Sequence, residues 1–199
     1  MLVTSSKLIG TPILSMQAGG AIGRITEPIV DPNTLKIIAF HTEGPVIHRD
    51  TNILDASSIR EYSGFGIVID SIDELVAPND VIKIAKIIEL NFNLIGLKVE
   101  TKKGSKLGKV LDYTATTDNF TVQQLIVKRP VVKNFLDPEL TIHRKEIVEI
   151  TDYKVIVKDE EKTIKKKAEK EDFVPNFVNP FREKQPGFAP ADIKNQSKD

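Results

Sequence analysis

Short runs rich in Ile, Val, Leu, Thr and Phe punctuate residues 6–158, separated by turn signals such as Asp31-Pro32-Asn33 and Asp137-Pro138. Runs of this kind, roughly ten residues apart and alternating apolar with polar positions, predict short β-strands in a small barrel or sandwich. One segment breaks the pattern. From Pro78 to Asn91 the apolar residues Val81, Ile84 and Ile88, with Ala85, recur at helical spacing, and Asn79 or Asp80 stands where an N-cap belongs. A short connecting helix is expected there.

The strand pattern occurs twice. Lys7-Leu8-Ile9-Gly10-Thr11-Pro12-Ile13 reads against Asn93-Leu94-Ile95-Gly96-Leu97-Lys98-Val99, and each is followed by a Gly-containing turn. Ile22-Gly23-Arg24-Ile25 then matches Leu107-Gly108-Lys109-Val110, with an acidic residue, Glu27 or Asp112, just beyond. Leu35 to Phe40 parallels Phe120 to Leu125, Ile53-Leu54 parallels Thr141-Ile142, and Gly66 to Asp70 parallels Lys154 to Lys158. A repeated pattern of this length implies one supersecondary plan used twice. Gly10 and Gly96 lie just inside the first strand, where a tight bend or a close backbone approach is expected. Gly23 and Gly108 follow the hairpin turn and are read as relieving crowding where the strand curls.

The order Leu-Ile-Gly, Gly-rich turn, Leu/Ile-Gly-Lys/Arg-Val/Ile, acidic residue, strand resembles the PRC-barrel domain. The similarity covers residues 6–158 as two tandem copies. It implies a mainly β chain of two small barrels, a first module over residues 1–78 and a second over 92–158; with the helix expected from the apolar spacing over 79–91, and a charged, flexible tail read from the mixed charge run over 159–199, this completes the chain. It further implies a scaffold that docks on protein, ribonucleoprotein or membrane-bound complexes and has no catalytic site of its own. The same module occurs in a bacterial ribosome maturation factor and in the photosynthetic reaction-centre H subunit. The present chain lacks the RNA-binding-type domain of the first and the transmembrane helix of the second, so neither role transfers.

Composition adds limits more than directions. The 199 residues carry 28 basic and 28 acidic side chains and no Cys or Trp, so disulfides and thiolate metal sites are excluded. No apolar run approaches the roughly 18–20 residues of a membrane span, and Met1 to Gly10 does not read as a signal peptide, so a cytoplasmic location is expected. The charge is uneven: residues 1–90 hold seven basic and eleven acidic side chains, residues 91–158 twelve and eight. An anion-facing second module is one reading; two halves of opposite sign resting side by side is the plainer one.

Candidate chemistry is correspondingly sparse. Lys102, Lys103, Lys106 and Lys109 cluster on one expected hairpin and are the best anion-contact candidates, although a solvated turn that protects a sheet edge gives the same sequence. Lys128-Arg129-Pro130, with Lys133 and Phe135, forms a second group on a long loop of the kind that docks partners. Gly19 to Arg24 and Gly104 to Lys109 look superficially like phosphate loops, but strand signals on both sides make them hairpins. His41 and His48, with Glu43 and Asp50 nearby, fit no standard zinc spacing and read as surface residues. His143, opposite Asp55 of the first copy, lacks an orienting partner for base catalysis. No catalytic residue, cofactor or metal site is therefore assigned.

The tail contains Phe173-Val174-Pro175-Asn176-Phe177-Val178-Asn179-Pro180-Phe181, whose prolines forbid a helix. Phe173, Phe177 and Phe181 read as anchors, either for a partner or for the chain's own barrels. The expected function is thus a non-enzymatic scaffold that docks on a protein or ribonucleoprotein complex, with peripheral membrane contact ranked below. The alternative is a ribosome- or RNA-associated assembly factor using the basic second module.

Overall fold

The computed structural model describes residues 1–130 and 138–159, and is mainly β. In chain order the elements are β1 (Leu2–Thr4), α1 (Ser5–Leu8), β2 (Pro12–Ser15), β3 (Gly20–Asp31), β4 (Lys36–Glu43), β5 (Ile53–Asp55), β6 (Glu61–Ser63), β7 (Gly66–Ile69), β8 (Leu75–Val76) and α2 (Ile82–Glu89). They continue with β9 (Lys98–Thr101), β10 (Lys106–Thr116), β11 (Val122–Lys128), β12 (Glu139–His143), β13 (Ile147–Ile150) and β14 (Lys154–Val157). Among the described residues no helix is long and apolar enough to cross a membrane.

The strands form two sheets on one plan. The first runs β6-β7-β2-β3-β4-β5-β8 and the second β13-β14-β9-β10-β11-β12, with β1 added beside β10. Both join their first and last repeat strands in parallel, β2 with β7 and β9 with β14, while the pairings between consecutive strands are antiparallel. Even the irregularities coincide. β3 shifts register against β4 at Ile25/Glu27 and Ile29/Val30, and β10 shifts against β11 at the matching Val110/Asp112 and Thr114/Ala115. Such bulges bend and twist a long strand. The chain also passes from edge strand β12 to the opposite edge strand β13 through Arg144–Glu146 alone. Four residue steps reach at most about 14 Å, whereas six flat strands would separate those edges by about 24 Å. The sheet must therefore curl. No hydrogen-bonded pairing joins the two edges of either sheet among the described residues, so each remains an open path.

One apolar core serves both sheets. Ile13, Ile25, Ile37, Phe40, Leu54, Ile67 and Ile69 from the first merge with Val99, Tyr113, Phe120, Leu125, Val127 and Val155 from the second. The seam is built at two equivalent residues, Leu35 and Phe120, just before β4 and β11. Both are buried and both have left-handed backbones, at φ 51° and 53°. In that conformation the Ile37 amide donates to the Phe120 carbonyl and the Val122 amide to the Leu35 carbonyl, each at 2.9 Å. The reciprocity is that of a two-fold interface. The Phe120 ring meets Phe40 edge to face at 5.3 Å, and Arg144 donates to the carbonyls of Thr34, Leu35 and Val122 from above.

The segment before each repeat crosses to the other. Residues 2–4 pair with Thr114–Thr116 of β10, so the chain's first strand extends the second sheet, contrary to a first module that begins at residue 1. Conversely α2, just before the second repeat, lays Ile84 on Ile29, Ile38, Ala39 and Ile53 of the first. The helix is therefore more than a connector: it covers the far side of β4, which explains four consecutive buried residues there. It begins at Ile82 with Val81 at the N-cap and no side-chain cap. Asp80 instead accepts from the Ala77 amide, bracing the turn before it.

After β1, Ser5 and Ser6 donate to the two carboxylate oxygens of Asp112 at 2.5 and 2.7 Å. Partial burial by itself would raise the Asp112 pKa. The hydrogen bonds from Ser5, Ser6 and the Tyr113 amide outweigh it and hold the group below its ordinary 3.8. The neighbouring Tyr113 phenol is pushed upward, first by burial and then by the charges of Asp112 and Glu27.

Gly10 and Gly96 take φ +82° and +89° with open space where a Cβ would stand, so the requirement is the bend and not a close approach. A side chain in this region costs about 1–2 kcal/mol. Gly96→Val should accordingly lower stability by about that amount, measured by thermal melting; an unchanged melt would mean the bend relaxes freely. The Asp112 contacts make a separate prediction. A depressed folded-state pKa contributes stability in full above 3.8 and loses it as pH falls through the depressed value. The melting-temperature gap between the wild type and Ser5→Ala/Ser6→Ala should be widest above about pH 5 and should close on acidification. A gap that does not vary with pH would assign the serines to packing alone.

Candidate functional site

The second sheet carries a row of lysines. Lys128 on β11 is the cross-strand partner of Lys109 on β10, Lys109 is the partner of Lys98 on β9, and Lys98 is the partner of Lys154 on β14. In-register partners project from the same face of a sheet. Four like charges thus stand side by side across four strands. Lys98, Lys106, Lys109, Lys128 and Arg129 line an open pocket of about 440 Å³, with Val99, Gly108 and Pro130 in its wall and one carboxylate, Glu100, the cross-strand partner of Lys106. Their aliphatic stems cover apolar surface and leave the charged heads to solvent.

The first repeat shows what the same backbone does without that charge. Its counterparts of Lys109 and Lys128 are Arg24 and Glu43, also cross-strand partners, which form an ion pair at 2.6 Å. Pro12 and Gly66 stand where the second repeat has Lys98 and Lys154. The loop after β4 also folds Ile47 over Gly23, the counterpart of Gly108. In the second repeat Lys154 reaches Glu100 at 3.5 Å. Among the described residues no carboxylate lies within ion-pair distance of Lys98, Lys106, Lys109 or Lys128.

Gly23 and Gly108 make the arrangement possible. A Cβ on Gly23 would meet the Glu43 carbonyl, and one on Gly108 the Lys128 carbonyl. Glycine at these two positions lets the curled strands approach closely, and the approach brings Lys109 beside Lys128.

The fold therefore joins two basic groups that are separate in the sequence, Lys106 and Lys109 with Lys128 and Arg129, and divides the hairpin cluster. Lys102 and Lys103 sit in the exposed turn beyond β9, outside the pocket lining. There the Lys103 amide donates to Asp159. Lys98 and Lys154 were not legible as site residues. Lys98 alternates with buried Val99 in an ordinary strand pattern, and only pairing reveals what lies beside it. Phe173, Phe177 and Phe181, with Lys133 and Phe135, lie outside the described residues.

His41 and His48 share an open pocket with Glu43 in the first repeat, but Glu43 is engaged by Arg24. Among the described residues no group of three or more His, Cys, Asp or Glu side chains is placed to hold a metal. His143 begins the 3-10 turn Arg144–Glu146, where its amide donates to the Glu146 carboxylate at 2.8 Å. Gly19 to Arg24 and Gly104 to Lys109 are hairpin turns and strand starts, with no helix behind them.

No protein-family model matches the chain, and no curated protein matches it. The site therefore stands on its own geometry.

Like charges directly opposite one another destabilise a sheet. Lys128→Glu would place a carboxylate beside Lys109, as Glu43 stands beside Arg24. We expect it to raise stability by about 0.2–1 kcal/mol, seen as a higher urea midpoint at unchanged slope. A midpoint that stays or falls would show that the lysines do not repel.

Proposed function

We propose that this chain is a non-catalytic docking protein of two tandem PRC-barrel-like modules, acting in the cytoplasm and presenting the lysine face of the second module to an anionic macromolecule. The barrel-like reading is supported by the short edge-to-edge crossing, the shared bulges and the strand order common to both sheets. The docking reading rests on one observation. On a backbone the two repeats share, the first neutralises its cross-strand pair and the second leaves three successive lysines with no carboxylate in ion-pair distance among the described residues. Mutual repulsion that a single exchange would relieve fits a residue set that serves binding at some cost in stability.

The pocket is open to solvent and carries several point charges in place of a closed set of converging groups, which suits holding a macromolecule more than turning over a substrate. Affinity capture with the full chain tests the reading. Macromolecules retained by the wild type should be lost by Lys98→Glu/Lys128→Glu at equal loading, while the variant melts no lower than the wild type. The same molecules co-purifying with the folded variant would place the docking surface elsewhere.

A further inference from the structure

The lysine row ends at the backbone of an exposed aromatic residue. Tyr153 lies in the turn between β13 and β14, next to Lys154, and its carbonyl accepts from the Lys98 amide at 3.4 Å. The residue is 69% exposed. Phe65 holds the same hairpin tip in the first repeat and is 86% exposed, but no lysine row stands beside it. Exposed aromatics at both tips are thus a feature of the repeat. An exposed aromatic residue whose backbone adjoins a lysine row is found in the second repeat and not at Phe65 of the first.

From this juxtaposition we infer that the second module binds single-stranded nucleic acid, with phosphates along Lys128, Lys109 and Lys98 and a base stacked on Tyr153. The inference rests on the docking reading above and narrows its partner. Charged grooves that track a backbone and end on an aromatic platform are how sequence-tolerant single-strand binding is built. An acidic peptide would engage the lysines and leave the ring idle. A long duplex does not suit the site either. Strands lie about 4.8 Å apart, so the row spans only about 14 Å, and the first half of the chain, with eleven acidic to seven basic residues, repels a polyanion that runs on past it.

The test uses the full chain and a fluorescent single-stranded RNA 12-mer, with DNA of the same sequence and a poly-glutamate peptide as comparison probes. Anisotropy titrations across a salt series should give a log–log slope of roughly −2, from three contacts at about 0.7 each. Lys98→Glu/Lys128→Glu should abolish binding and keep its melting temperature. Tyr153→Ala should weaken binding by about five- to a hundred-fold, the range for one stacked base, while Phe65→Ala should leave it unchanged. RNA and DNA binding alike, both sensitive to Tyr153, supports backbone and stacking recognition. RNA binding alone, with the same sensitivity, supports it with the 2′-hydroxyl also read. Poly-glutamate binding as tightly as RNA, or indifference to Tyr153→Ala, overturns the inference. Failure of the wild type to bind either nucleic acid, while affinity capture still depends on the lysines, sinks the nucleic-acid assignment and leaves the docking reading in place.

Discussion

Two backbone hydrogen bonds, from Ile37 to Phe120 and from Val122 to Leu35, set the arrangement on which the rest of this structure depends. The carbonyls that accept them belong to Leu35 and Phe120, whose left-handed backbones cost about 1–2 kcal/mol each for a residue with a side chain. Both side chains are buried in return, and burying a large apolar side chain is worth roughly 1.5–3 kcal/mol. Strain at the seam is thus held in place by the core that the seam creates. Small β-modules of this length bury little surface alone. Joining them through a reciprocal pair lets Phe40, Tyr113, Phe120 and Leu125 belong to one core.

The same symmetry accounts for the crossed segments. With the two repeats joined at the turns before β4 and β11, the end of each long strand that leads into that turn still has a side to cover. The segment preceding the opposite repeat supplies the cover. β1 pairs along β10, and α2 packs its Ile84 against β3 and β4. The solutions differ in kind, a strand in one case and a helix in the other. The helix buries an apolar face on Ile29 and Ile38, whereas β1 adds backbone hydrogen bonds and hands Ser5 and Ser6 to Asp112.

A duplicated backbone is also an internal control for function. Where both repeats share strand order, bulges and close-approach glycines, a difference in charge between equivalent positions owes nothing to the fold. Arg24–Glu43 and Lys109–Lys128 are such a difference. The first is a local ion pair that leaves the sheet content. The second is repulsive, is extended by Lys98, and is not balanced within the described residues. Net charge conceals it, because the chain as a whole carries equal numbers of basic and acidic groups.

Much of the architecture was legible in the sequence, because a buried face imposes a period. Alternation fixed the strands, helical spacing marked α2, and repeated apolar blocks announced two copies of one plan with Asp55 and His143 in the same slot. The glycines were legible too, although Gly10 and Gly96 serve a bend and not a close approach. The candidate site was only half legible. Lys106 and Lys109 stood out as part of a local cluster and Lys128 with Arg129 as another, but Lys102 and Lys103 leave the site and Lys98 and Lys154 enter it. Local pattern records which residues face inward, since that depends on neighbours two or four positions away. Which strands lie side by side, and in what register, depends on closing the sheet across β9, β10, β11 and β14. A lysine acquires its meaning there from a partner as many as 56 residues away, a relation that exists only once the chain has folded.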